Sequence, residues 1–299
     1  MKKYLVLDIG GSAIKYAFMT KEGTFFSKNK VKTPLHSLEH LIQQIYELYL
    51  LDSSVAGIAI SMPGVIDVKN GIAITGGALL YIDHTPLVQL LEQKCQVPVT
   101  IANDAKCAGL CEVGFGVLQD VQDAIVLVLG TAIGGCLIIN HEVYQGHRFC
   151  AGEVSSLQTN ANEFFSGKQS FWKKNGSRGL LKCVQEATQS NAFMSGEEIF
   201  EKAKQGDQKV LAGLDAFCKD LVVQIFNLQT ILDPQRIAIG GGISIQPLLF
   251  ERIHYFFDLV YDELYDGPIH KPDIVACKYL NDANLLGALH QFLILKTSI

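Results

Sequence analysis

The sequence predicts an α/β protein built from two similar halves, and three observations predict it. A strand, a glycine turn and a hydroxyl residue occur twice, first as Leu5-Val6-Leu7-Asp8-Ile9-Gly10-Gly11-Ser12 and again as Val126-Leu127-Val128-Leu129-Gly130-Thr131-Ala132-Ile133-Gly134-Gly135. Short apolar runs of strand length alternate with segments whose apolar residues recur at helical spacing, in both halves. The length, 299 residues, suits two domains rather than one.

Residues 4–9 and 13–19 read as a strand pair around the first glycine turn, and 24–31 as a third strand. A helix follows, with Thr33 as its cap and Pro34 at its first position. Leu38, Leu41, Ile42, Ile45, Leu48 and Tyr49 line one face of it. Residues 55–60 form a buried strand ending in Ser61-Met62-Pro63-Gly64, residues 82–95 a helix, 99–102 a short strand and 105–113 another helix. Asn103 and Asp104 therefore fall where a strand gives way to a helix, the end at which open α/β sheets bind ligands. The scheme restarts with strands 124–129 and 135–140. A less regular stretch, helices near 196–205 and 207–232 and strand 236–239 follow. A last helix, about 284–295, is expected to return to the first half. This gives an N-terminal domain of residues 1–115 plus about 284–299, and a second domain of residues 116–283.

The bulk composition narrows the function classes. A chain 48% hydrophobic and 18% charged is ordinary for a water-soluble fold, and a net charge of −5 without a run of Lys or Arg argues against nucleic-acid and anionic-membrane partners. The apolar start, Tyr4 to Leu7, is too short for a signal peptide, and the uncharged stretch 124–140 is too short to span a bilayer. Eight cysteines without a C-x-x-C pair fit reduced thiols, so a cytoplasmic location is expected.

Paired glycines let bare backbone N–H groups approach phosphate oxygens. Ser12 and Thr131 add hydroxyl donors, and Asp8 is placed to hold the waters around Mg²⁺. Each turn alone is equally a β-hairpin bend; two matching turns at equivalent places point to a polyphosphate and to phosphoryl transfer. Asp104 is the candidate base for an alcohol acceptor, with Asn103 able to hold a neighbouring hydroxyl. Asn and Asp are also the favoured helix caps, and that alternative stays open. Gly240-Gly241-Gly242 ends a strand, as a tight turn or as a surface for a flat ring.

Together these residues resemble the ROK family of sugar kinases, within the actin-like, ribonuclease-H-like ATPase superfamily. Asp8 to Lys15 resembles its D-x-G-G-[ST]-x-x-[KR] motif, Pro63-Gly64-Val65-Ile66-Asp67 its P-G-x-[VI]-D, and Asn103-Asp104-Ala105 its N-D-[AV]. Gly130 to Gly135 is similar to G-T-G-[IV]-G-[GA] with Ala132 for a glycine. Ala151-Gly152-Glu153 matches A-G-E. The resemblance implies two similar ribonuclease-H-like domains with an interdomain cleft and an ATP- and Mg²⁺-dependent kinase acting on the 6-hydroxyl of a hexose or β-glucoside. It implies Asp104 as catalytic base and Gly64, Gly77, Asn103, Asp104 and Glu153 on the sugar side. Asp8, Gly10, Gly11, Ser12, Lys15, Gly130, Thr131, Gly134, Gly241 and Gly242 fall on the nucleotide side, with Asp8 holding Mg²⁺ through water. A homodimer is implied as well. A non-catalytic ROK-type regulator, or an N-acetylmannosamine or fructose kinase, is the alternative. ROK repressors carry a helix-turn-helix segment before the kinase-like body, and with the first strand entered by residue 4 none is expected.

One departure is informative. The family's A-G-E-x-G-H and C-x-C-G-x-x-G-C-x-E form a structural zinc site whose closing Glu also touches the sugar. Here Ser156 stands at the His position. Alignment through Gly176 and Gly179 puts Lys173, Asn175 and Leu180 at the cysteines and Lys182 at the Glu. Such residues cannot build a thiolate and imidazole tetrahedron, so no zinc site is expected. Residues 157–185 are expected to rely on Phe164, Phe165, Phe171 and Trp172 for packing. The resemblance to zinc-less members, β-glucoside kinases among them, fits an open reducing-end pocket.

Overall fold

The computed structural model describes residues 2–158, 160–165 and 171–297. Their packing separates two units, Met1–Gln119 with Gln145–Ala151 and Asn281–Ile299, and Asp120–Tyr144 with Gly152–Leu280.

The first unit opens with strands β1 (Tyr4–Ile9), β2 (Ala13–Met19) and β3 (Phe25–Lys32), paired antiparallel in succession. Strand β1 is buried along its whole length, which its run of apolar residues requires. Helix α1 (Leu38–Leu50) starts later than the Thr33–Pro34 signal suggested. Thr33 is used elsewhere: its hydroxyl donates to Gly10 O (2.6 Å) and its N–H to Ser12 O (3.3 Å), bracing the glycine turn. Ser37 caps the helix instead, accepting from His40 N–H, and Leu41, Ile45 and Leu48 turn inward.

Strand β4 (Ile58–Met62) lies parallel to β1. Strands β5 (Ile66–Asp67), β6 (Ile72–Thr75) and β7 (Asp83–Thr85) make a small separate sheet. The start of the expected 82–95 helix is thus a strand, and helix α2 runs only from Leu87 to Cys95. Pro86 accounts for the difference, because its ring disfavours helical backbone in the residue before it but tolerates a helix starting just after. Strand β8 (Val99–Asn103) pairs parallel with β4 and passes directly into helix α3 (Asp104–Gly114). The five-stranded sheet has the order β3-β2-β1-β4-β8.

The second unit repeats that plan. Strands β9 (Ala124–Leu129), β10 (Ile133–Ile139) and β11 (Glu142–Val143) are antiparallel neighbours. Helices α4 (Ala161–Phe165), α5 (Phe171–Asn175), α6 (Ser177–Thr188), α7 (Gly196–Lys204) and α8 (Gln208–Leu232) follow. Strand β12 (Arg236–Gly240), helix α9 (Pro247–Leu259) and strand β13 (Asp273–Ala276) complete it. The sheet order β11-β10-β9-β12-β13 is that of the first unit, with β12 parallel to β9 as β4 is to β1. Each unit has its own apolar core.

Of the four aromatics expected to pack residues 157–185, Phe171 is fully buried with Leu180 and Val184, whereas Phe164 and Phe165 are exposed. Consecutive helical positions point about 100° apart, so the two rings cannot face one core together, and they pack edge-on against each other at 5.5 Å instead. The Trp172 side chain lies outside what is described.

Helix α10 (Ala283–Thr297) packs in the first unit, against α3 and β4. It buries Leu285, Leu289 and Phe292, and a Cβ at Gly287 would fall inside the van der Waals shell of Cys107 O on α3. Among the described residues no helix is long and apolar enough to cross a membrane, and the eight cysteines are free thiols.

Candidate active site

The first turn is set by the β1–β2 register, which places Asp8 opposite Lys15 and leaves Gly10, Gly11 and Ser12 as the bend. Gly10 N–H closes it onto Ala13 O at 3.0 Å. Asp8 is only 8% exposed, and its carboxylate is oriented from three sides. Oδ1 accepts from Ser61 Oγ (3.2 Å) and Asn284 Nδ2 (3.0 Å), and Oδ2 lies 3.4 Å from Lys15 Nζ. Ser61 comes from β4 and Asn284 from α10, so three elements of the first unit aim one carboxylate.

The second turn sits at the corresponding place in the second sheet. Gly130 N–H bonds Ala132 O at 3.0 Å, and Gly130 O accepts from Ser177 N–H (2.8 Å) at the start of α6. Thr131 is exposed and Gly134 half-buried. Gly241, with φ +100°, follows β12; a Cβ there would strike the Leu129 carbonyl, so the strand end and the turn approach each other closely only because the residue is glycine. Gly242 faces open space. Beside it lies a cleft of about 390 Å³ lined by Ser195, Glu197, Phe200, Ile243 and Gln246 among others. Sequence reasoning missed these residues, although the Ser195-x-x-Glu198 capping box, realised at the start of α7, was a readable signal.

At the end of β8 the cap of α3 is Asn103, not Asp104. Asn103 Oδ1 accepts from Lys106 N–H (3.0 Å) and Nδ2 donates to Gly64 O (2.9 Å). Asp104 is the first helical residue, half-buried at the positive end of the helix dipole, with Oδ1 accepting from Ala105 N–H at 2.8 Å. Gly64 (φ +103°) and Gly77 (φ +58°) both have left-handed backbone. A Cβ on Gly64 would collide with Thr75 backbone, and one on Gly77 would lie 2.9 Å from Pro63 Cβ. The structure thus joins Asn103, Gly64 and Gly77 into one layer.

Glu153 is exposed and follows Gly152, whose φ is +84° and whose carbonyl occupies the space a Gly135 side chain would need. Where the zinc-binding motif would have cysteines, Asn175 is fully buried with Nδ2 on Phe217 O (3.0 Å), Leu180 lies in the core and Lys173 is exposed. Lys182 is exposed 3.6 Å from Glu186, and Ser156 is exposed. Two further features escaped the sequence: Lys106, buried with its ammonium on Phe149 O, and Gln145, whose buried Oε1 has no hydrogen-bond partner.

The chain is similar to known proteins over nearly its whole length. A β-glucoside kinase from Listeria monocytogenes serovar 1/2a is 30% identical over 295 residues, covering 97% of both chains. The crystal structure of a ROK family protein from Streptococcus pneumoniae in complex with sucrose superposes with a TM-score of 0.88 at 29% identity, covering 99% of this chain and 100% of that one. A ROK family glucokinase from Streptomyces griseus, solved with glucose and AMPPNP, matches in fold, with a TM-score of 0.77 at 24% identity over 96% of this chain and 98% of its own. The fold is that of the actin-like, ribonuclease-H-like ATPases. With the ROK family model matching residues 4–294, the chain belongs to the ROK family.

Proposed function

We propose that the chain is a sugar kinase that transfers the γ-phosphoryl group of ATP to the primary 6-hydroxyl of a hexose or β-glucoside. The observation that carries this reading is the repeated glycine turn, found at the same place in two sheets of the same strand order, with Asp104 at a strand-to-helix junction. The β-glucoside kinase name of the Listeria relative supports the acceptor class.

In this reading Gly10, Gly11, Ser12 and Lys15, with Gly130, Thr131 and Gly134, offer backbone and side-chain donors to the phosphates, and Gly241 and Gly242 adjoin the adenosine. Mg²⁺, when bound, neutralises charge on the phosphate oxygens. Asp8 would hold it through water, and a single carboxylate pre-oriented by Ser61 and Asn284 fits an ion that keeps most of its waters. Asp104 takes the proton of the attacking hydroxyl. An amide oxygen has two lone pairs and its NH₂ two donors, so Asn103 can cap α3 and still meet a sugar hydroxyl. Glu153 takes a further hydroxyl.

ADP release is the direct test, measured across glucose, cellobiose, gentiobiose, fructose, mannose and N-acetylmannosamine. Turnover with glucose or a β-glucoside, at roughly the 1–100 s⁻¹ usual for kinases, is expected. No acceptor above background would refute the proposal, and preference for fructose or N-acetylmannosamine would move the specificity. We also infer that the fold is built without zinc, because Asn175 and Leu180 are committed to packing. Elemental analysis of protein purified without chelator should give well under one zinc per chain; a stoichiometric value would overturn the inference.

A further inference from the structure

Between β11 and Gly152 the chain runs through Gln145–Ala151, and this strap packs with the unit that carries Asp104 rather than with the segments on either side of it. The strap folds back on itself: Ala151 N–H donates to Gln145 O (3.1 Å) and Phe149 N–H to Gly146 O (3.4 Å). Two of its residues have left-handed backbone, Gly146 (φ +73°) and Phe149 (φ +60°). Glycine adopts that conformation freely, but a phenylalanine does so only where its surroundings hold it there.

Lys106 does the holding. It is only 2% exposed, on the first turn of α3 two residues beyond Asp104, and its Nζ donates to Phe149 O at 2.5 Å. A cation in the first turn of a helix is opposed by the helix dipole, and a buried ammonium is costly unless it is bonded. The charge of Lys106 is thus not favoured by its place in α3, and the bond of its ammonium to Phe149 O offsets that cost. Its backbone N–H meanwhile donates to Asn103 Oδ1. One residue thus seats the amide beside Asp104 through its main chain and anchors the strap through its side chain. The strap leads without a break into Gly152 and Glu153.

We propose that Lys106 is a positioning residue for the acceptor sugar: its ammonium latches the 145–151 strap and thereby fixes the approach of the chain to Glu153. This rests on the kinase reading above. The test is Lys106→Met, which keeps the length and removes the charge, alongside Lys106→Arg, which restores a donor. Loss of one charge-assisted bond should raise the sugar KM about 10-fold or more and speed hydrogen exchange at the Phe149 and Ala151 amides about 10-fold. The ATP KM should stay within about twofold, and the melting temperature should fall by no more than a few degrees, the cost of leaving the Phe149 carbonyl without its ammonium. Lys106→Arg should recover much of the sugar KM. A purely structural lysine would move both KM values together. That result, or an unchanged sugar KM, or exchange no faster in the strap, would overturn the proposal. A wild-type protein that phosphorylates no sugar yet shows the exchange difference would refute the kinase reading and leave the latch itself standing.

Discussion

Asp104→Asn is expected to lower turnover by about 10²-fold or more, because a positioned general base typically contributes about 10²–10⁴. The substitution keeps the local main-chain bonds. Asn keeps an Oδ1 acceptor for the Ala105 N–H, and the helix cap belongs to Asn103, so α3 should start at the same residue. The melting temperature and sugar affinity should therefore be close to wild type while kcat collapses. Steady-state ADP release gives kcat, and calorimetric titration of the sugar gives affinity. A variant that turns over at the wild-type rate would remove Asp104 from the chemistry. One that loses sugar binding as well would make Asp104 a binding residue rather than a base.

Gly287→Val is expected to destabilise the protein strongly. The Cβ of any residue at 287 would overlap the carbonyl of Cys107, and both groups belong to helix backbone, so no rotamer change relieves the overlap. Helix α10 must move off α3. Overpacking of this kind costs typically 1–3 kcal/mol and sometimes more, and valine adds a β-branch while recovering little of glycine's helix penalty. At about 2–4 °C per kcal/mol, the melting temperature should fall by roughly 5–10 °C. There is a second consequence, because Asn284 lies one turn earlier on α10 and donates to Asp8 Oδ1. Displacing the helix withdraws that donor, so the ATP KM should rise in whatever fraction remains folded. Thermal unfolding and the ATP KM, measured together, check both parts. A variant with a wild-type melting temperature would mean that α10 and α3 do not approach so closely.

Much of the scaffold was legible because its signals are local. The run Tyr4–Ile9, the glycine bends and the strand-to-helix switch at Asn103–Asp104 each follow from a few adjacent residues, and the structure has them as strand, turn and helix start. Local reading erred where a residue was taken by a distant partner. Thr33 reads as a helix cap, yet its hydroxyl goes to Gly10, twenty-three residues back in the chain. Residues 82–85 carry helix-compatible spacing, and Asp83–Thr85 nevertheless pair with β6, since the small sheet supplies hydrogen bonds that the segment before Pro86 cannot obtain in a helix. Phe164 and Phe165 look like core, yet they are exposed and pack edge-on against each other, while Phe171 is buried with Leu180 and Val184.

Strand periodicity, glycine's freedom and capping preferences act over a few residues, so the duplicated sheet plan, the two glycine bends and the strand-to-helix switch at Asn103–Asp104 can be read from the sequence. How the groups are aimed came only with long-range packing: Asn284 and Ser61 on Asp8, Gly64 on Asn103, and the Lys106 ammonium on Phe149. These are contacts between residues tens to hundreds of positions apart. Their geometry depends on how helices and sheets pack, and periodicity does not encode it.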